Sequence, residues 1–172
     1  TVKDVFVISN MEEIRLVTYN PDGQLIKDYG KGTRANHFEF AFPSVAWQPG
    51  KIVAYGYKNG IVAKTQEIIT AGQPAKLRLT PYTGPAGFYA DGSDVAMFDI
   101  EVTDAQGNRI PTDERRIDFT YSGEAQFLGG YNSGIEYSIF KDTLLTECGI
   151  NRVFARSTRN AGSFTLHATA VG

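Results

Sequence analysis

The chain has 172 residues, 42% of them hydrophobic, and its 17 basic and 19 acidic side chains give a formal net charge of −2. These values are typical of a folded domain and argue against disorder. They also argue against a membrane partner, because no apolar run is long enough to cross a bilayer. The balanced charge provides no broad positive field, which argues against a nucleic-acid partner.

The first 70 residues are predicted to form strands, because apolar and polar residues alternate with a period of two. Phe38, Phe40 and Phe42 alternate with polar or small neighbours, which places the three rings on one predicted face. Glycine, proline and asparagine favour turns between such strands. The turn segments are NPDGQ at 20–24, QPGK at 48–51 and KNG at 58–60. About six strands are expected before residue 71.

The second series begins after residue 75 and comprises about seven predicted strands. In the segment 96–103 apolar residues occupy even positions, whereas Asp99 and Glu101 are predicted to lie on the opposite, solvated face. The segment TAGQPAK at 70–76 separates the two series. We therefore predict an all-β fold of two tandem immunoglobulin-like antiparallel β-sandwiches, at residues 1–72 and 73–172.

Eight acidic side chains lie within residues 90–119, which raises the question of a metal or catalytic site. A helix-loop-helix calcium site would need ligands at alternate positions, then glycine and a distal glutamate, and neither DGSD nor DAQGN has that order. Acidic side chains are the default on a solvated strand face. We therefore interpret these residues as strand faces and turns, with a weak surface cation site as the alternative.

No other segment predicts catalysis or a cofactor. Cys148 is the single cysteine, which excludes an internal disulfide, and it is expected to be a partly buried structural thiol. The segment GKGTR at 30–34 lacks the spacing of a phosphate-binding loop, and no Gly-x-Ser-x-Gly motif is present. The sequence therefore predicts no catalytic residue, no metal and no cofactor.

Aromatic residues in or beside the predicted loops are the better functional candidates, because exposed rings stack on sugars through apolar contact. The alternative is that they fill a sandwich end or the gap between two domains. The candidate carbohydrate or domain contacts are Trp47, Tyr82, Phe88, Tyr89, Tyr131 and Tyr137.

Two groups of motifs resemble a known family. The segment from LRLTPYTGPAGFYADGSD to RRIDFTYSG, together with ECGINRVFARSTRNAGSFTLHATA, resembles the last immunoglobulin-like domain of glycoside hydrolase family 2 enzymes of the β-galactosidase type. VFVISNMEEIRLVTYN and WQPGKIVAYGYKNGIVAKTQEIITAG resemble the preceding domain. The two matches cover nearly the whole chain.

The resemblance implies a non-catalytic role. In that family the catalytic glutamates lie in a (β/α)₈ barrel, which needs about 250 residues and would precede residue 1. We therefore expect a C-terminal fragment whose partners are the catalytic and other domains of its parent chain. Periplasmic or extracellular localisation follows only by analogy. The alternatives are a carbohydrate-binding module and an adhesin-like stack of immunoglobulin domains, because a fold does not determine a function.

Overall fold

The computed structural model describes residues 1–134 and 136–171, which form two compact units, Thr1–Thr70 and Ala71–Gly172. Every regular element in these residues is a strand and the strand pairs are antiparallel, which confirms the predicted all-β fold. None of the described residues forms a helix able to span a membrane. Residue 135 of the YNSGIEYS segment and residue 172, the predicted end of the second domain, lie outside the described residues.

The first unit contains seven strands, which form one sheet of order β1-β5-β4 and another of order β3-β2-β6-β7. About six strands were expected, and β4 is the shortest of the seven, with two residues that are too few for an alternation to be recognised. The strands are β1 Val2–Ile8, β2 Glu13–Tyr19, β3 Leu25–Lys31, β4 Thr33–Arg34, β5 Glu39–Ala46, β6 Lys51–Lys58 and β7 Ile61–Ile69.

The core of the first unit lies between its two sheets. Leu16 from β2 packs there with Phe40 and Phe42 from β5, and each of these side chains is 2% exposed. Phe38 was predicted on the same face as these rings, but it is 59% exposed because β5 begins only at Glu39. The alternation therefore predicts the core positions within β5 correctly, and it is wrong for Phe38, which precedes the strand.

The second unit also contains seven strands in its described residues, in sheets of order β12-β10-β14 and β11-β13-β9-β8. They are β8 Lys76–Tyr82, β9 Val95–Thr103, β10 Arg116–Gly123, β11 Ala125–Tyr131, β12 Thr143–Leu145, β13 Ile150–Ser157 and β14 Phe164–Ala170. Both sheets contribute to the core, which is formed by Ile100, Ile117, Phe119, Phe127, Leu144 and Val153.

Both strand orders are compatible with an immunoglobulin-like fold. In such folds the strands A-B-E-D form one sheet and C, F and G the other, with C′ added beside C in variable domains. In the first unit, the sheet β1-β5-β4 corresponds to B-E-D and the sheet β3-β2-β6-β7 corresponds to C′-C-F-G, with β1 in the position of B and β7 in that of G. In the second unit, the sheet β8-β9-β13-β11 corresponds to A-B-E-D, and β10 and β14 pair as C and F do.

Candidate functional site

The eight acidic residues of the segment 90–119 do not converge on one point. No group of three or more His, Cys, Asp or Glu side chains that could hold a metal ion occurs in residues 1–134 and 136–171. Asp91 instead accepts the backbone N–H groups of Ser93 and Asp94, at 2.7 and 2.8 Å, and stabilises a turn. Asp118 pairs with Arg116 at 2.7 Å on the surface, as expected of a solvated strand residue.

Asp104 is the most enclosed of these carboxylates, with 2% of its surface exposed. One oxygen accepts the backbone N–H groups of Gln106 and Asn108 at 3.0 and 2.8 Å, and the other accepts that of Gly72 at 2.9 Å. These donors, with the N–H of Gly72 having the largest effect, lower the pKa of Asp104 to about 2. The carboxylate thus holds the DAQGN turn and the start of the second unit together, which is a structural task.

Asp113 is a second buried carboxylate with a structural partner. Arg115 donates to it at 2.6 Å and lowers its pKa, and the hydroxyl of buried Thr146 lies 3.4 Å from the same carboxylate. The sequence prediction did not identify either Asp104 or Asp113. The DAQGN turn is nevertheless a signal for Asp104, because an aspartate that begins a turn often accepts hydrogen bonds from the backbone that follows it.

The prediction that Asp99 lies on a solvated face of its strand is wrong, because the side chain is largely buried. It lies on β9 directly opposite Arg152 on β13, is only 9% exposed, and accepts the Nη2 donor of Arg152 at 3.0 Å. Glu101 pairs in the same way with Arg78 on β8, at 2.8 Å. β9 is a central strand, so long arginine side chains from both neighbours cover its acidic residues.

Two of the aromatic candidates flank the Asp99–Arg152 pair. The guanidinium of Arg152 lies 5.7 Å from the centre of the Tyr82 ring, within range of a cation–π contact. Tyr131 on β11 is the register partner of Arg152 on its other side and is 72% exposed. The sheet therefore brings Tyr82 and Tyr131 to one surface with charged groups between them.

This surface, which we call the outer face, is the side of the sheet β11-β13-β9-β8 that points away from the core. Phe154 lies on it between Arg152 and Arg156, at alternate positions of β13. Its register partners are Met97 on β9 and Gly129 on β11, and Tyr82 continues the row beyond Met97. The outer face thus combines an apolar row with a row of charged groups.

The other four aromatic candidates lie elsewhere. Trp47 follows β5 in the first unit and is 60% exposed, while Tyr137 is 70% exposed in the segment after β11. Tyr89 is exposed beside half-buried Phe88, and its backbone N–H donates to Asp94 at 2.8 Å. A role of these four in carbohydrate or domain contact stays a prediction.

Cys148 is exposed, which corrects the expectation of a partly buried thiol. It occupies a two-residue hairpin turn with Gly149, in which both residues have positive φ values, 54° and 73°. Such a turn places Cys148 at the tip of a hairpin, where solvent reaches its side chain, whereas Gly149 is buried.

An apolar surface on the first unit was missed by sequence reasoning. Val5 and Val7 of β1 pack against the core, so Phe6 and Ile8, at alternating positions, face away from it. They are 57% and 71% exposed. In a continuously apolar strand such as VFVI, the side that is exposed cannot be read from the pattern.

Two family models match the chain. The model for the glycoside hydrolase family 2 C-terminal domain 5 matches residues 79–172, and a domain of unknown function matches residues 1–64. A β-glucuronidase from Formosa agariphila is 43% identical over all of this chain, which spans 17% of that protein. The β-galactosidase BoGH2A from Bacteroides ovatus is 36% identical over 57% of this chain and 12% of its own length.

A solved structure supports the same assignment. A β-glucuronidase from glycoside hydrolase family 2 superimposes with a TM-score of 0.81 at 43% identity, over 98% of this chain and 17% of that one. The chain therefore spans less than a fifth of each of these relatives. The family resemblance seen in the sequence is confirmed.

Proposed function

The chain belongs to glycoside hydrolase family 2, as the non-catalytic C-terminal part of such an enzyme, and we propose that its two units serve the parent enzyme by docking onto its other domains. The relatives are much longer than this chain, which leaves most of a parent protein to provide both the catalytic site and the docking partner. The proposed parent hydrolyses a β-linked glycoside. A β-glucuronide is the preferred substrate class, because the β-glucuronidase match covers all of this chain and the β-galactosidase match 57%.

The observation that carries the docking role is the apolar surface of β1. Phe6 and Ile8 occupy alternate positions of one strand and remain more than half exposed, at 57% and 71%. Complete burial of a large apolar side chain stabilises a protein by roughly 1.5–3 kcal/mol. Contact with another domain of the parent protein would therefore gain about 2 kcal/mol from these two partly buried residues.

The test compares Ile8→Ser in the full-length parent protein and in the isolated 172-residue chain. Ile61→Ser is the matched control, since Ile61 also lies on a strand and is 72% exposed, against 71% for Ile8. We expect Ile8→Ser to lower the thermal unfolding midpoint of the full-length protein by several degrees more than Ile61→Ser does. In the isolated chain the two substitutions should have equal, small effects. Equal effects in both proteins would refute docking through β1.

A further inference from the structure

The outer face of the second unit carries more positive than negative charge. Four basic side chains point away from the core, Lys76, Arg78, Arg152 and Arg156, against two acidic ones, Asp99 and Glu101. These six strand residues therefore sum to a charge of +2, although the whole chain has a formal net charge of −2. An excess of one sign on a single face favours a ligand of the opposite sign.

Arg156 and Lys76 are the two basic groups of this face that are not paired with a carboxylate, and Lys76 donates to the backbone carbonyl of Ala105 at 3.0 Å. Arg152 and Arg78 are engaged by Asp99 and Glu101, with distances of 3.0 and 2.8 Å. Arg156 instead donates to the neutral side-chain amide of Gln126, at 2.6 Å. Among the described residues no carboxylate lies within ion-pair distance of Arg156. Its guanidinium can bind a carboxylate with paired hydrogen bonds.

An apolar surface lies directly beside this guanidinium. Phe154 is two residues from Arg156 on the same side of β13, a spacing of about 7 Å, and it is half-buried. Met97 and Tyr82 extend the row across the sheet. The C–H face of a pyranose ring packs on such a surface, while its polar substituents reach the charged groups alongside.

We propose that the outer face of the second unit binds an acidic glycan, with Phe154 and Tyr82 contacting sugar rings and Arg156 binding a uronate carboxylate. Arg152, whose side chain is 46% exposed, supplies further donors for hydroxyl groups. The choice of a glycan over an acidic peptide rests on the proposed role in a glycoside hydrolase, and the experiment separates the two.

The test is titration of the isotope-labelled 172-residue chain with a hyaluronan tetrasaccharide, followed by NMR of backbone amides and arginine Nε–H groups. We expect chemical-shift changes centred on Phe154, Arg156 and Met97 at millimolar ligand, decreasing as salt is added. The neutral sugar cellotetraose and a tetraglutamate peptide should cause no comparable shifts. Shifts of equal size with cellotetraose would refute the preference for an acidic ligand. Shifts of equal size with the peptide would refute the assignment of the ligand as a glycan.

Three substitutions test the carboxylate contact. Arg156→Gln should weaken hyaluronan binding about tenfold, because it removes a charge-assisted hydrogen bond. Arg116→Gln is the matched control, since Arg116 is an exposed arginine on the other sheet, and it should leave the affinity unchanged. Arg156→Lys, which retains the charge, should recover part of the affinity. Equal affinities of the Arg156→Gln and Arg116→Gln variants, or no shift at the outer face, would overturn the proposal. Neither result affects the docking test, which depends on β1.

Discussion

Leu144→Ala tests whether the two units are separate folding domains, with the proposed limits 1–72 and 73–172. Leu144 is 1% exposed, packs in the core of the second unit and pairs in register with Ile117. Truncating a buried leucine to alanine costs 2–5 kcal/mol, depending on how far the site can collapse. β12 has only three residues and lies at a sheet edge, so partial collapse is expected and the cost should be roughly 3 kcal/mol.

The assay is hydrogen-exchange mass spectrometry of the 172-residue chain in increasing urea, because its peptides report on each unit separately. With a urea m-value of about 1.5 kcal/mol/M, the midpoint for peptides after residue 72 should fall by about 2 M. Peptides before residue 72 should keep their midpoint. If the alanine variant does not fold, Ile117→Val is measured instead, and it should lower the free energy of unfolding by about 1 kcal/mol. An equal shift in both sets of peptides would refute separate domains.

Two smaller predictions concern Asp104 and Cys148. Asp104→Asn should destabilise the second unit at pH 7. The carboxylate has a pKa of about 2, so its contribution is complete above the unfolded value near 4 and declines as the pH falls towards 2. Urea unfolding of both proteins should therefore converge near pH 2, and a difference independent of pH would contradict this origin. Cys148 should react with a soluble thiol reagent in the folded protein without denaturant, whereas protection until unfolding would show that the thiol is not exposed.

Alternation and turn residues were sufficient to predict the antiparallel fold, most of its strands and the core positions of β5 and β9. Ile100 and Phe40 are buried where the pattern places them. A period of two gives the direction of a side chain relative to the sheet, and burial follows when one face of that sheet meets a core. A strand as short as β4 cannot be predicted in this way, because two residues contain no period.

The outer face could not be predicted to the same degree. Alternation placed Asp99 on the side away from the core, yet its burial depends on Arg152, which is 53 residues later in the chain. Cross-strand register decides such contacts, and register follows from the pairing of whole strands. The same reason explains why Tyr82 and Tyr131 were recognised as candidates individually, while their common surface appeared only in the structure.

Asp104 has a consequence for the variation that this chain can tolerate. Its carboxylate accepts hydrogen bonds from the backbone N–H groups of Gln106, Asn108 and Gly72 at the same time, which is possible only if the turn has its present length. An inserted residue between 104 and 108 would separate the donors from their acceptor and leave a buried charge without partners. Surface loops without such a carboxylate accept insertions more easily. We therefore expect homologous chains to keep the DAQGN turn at five residues.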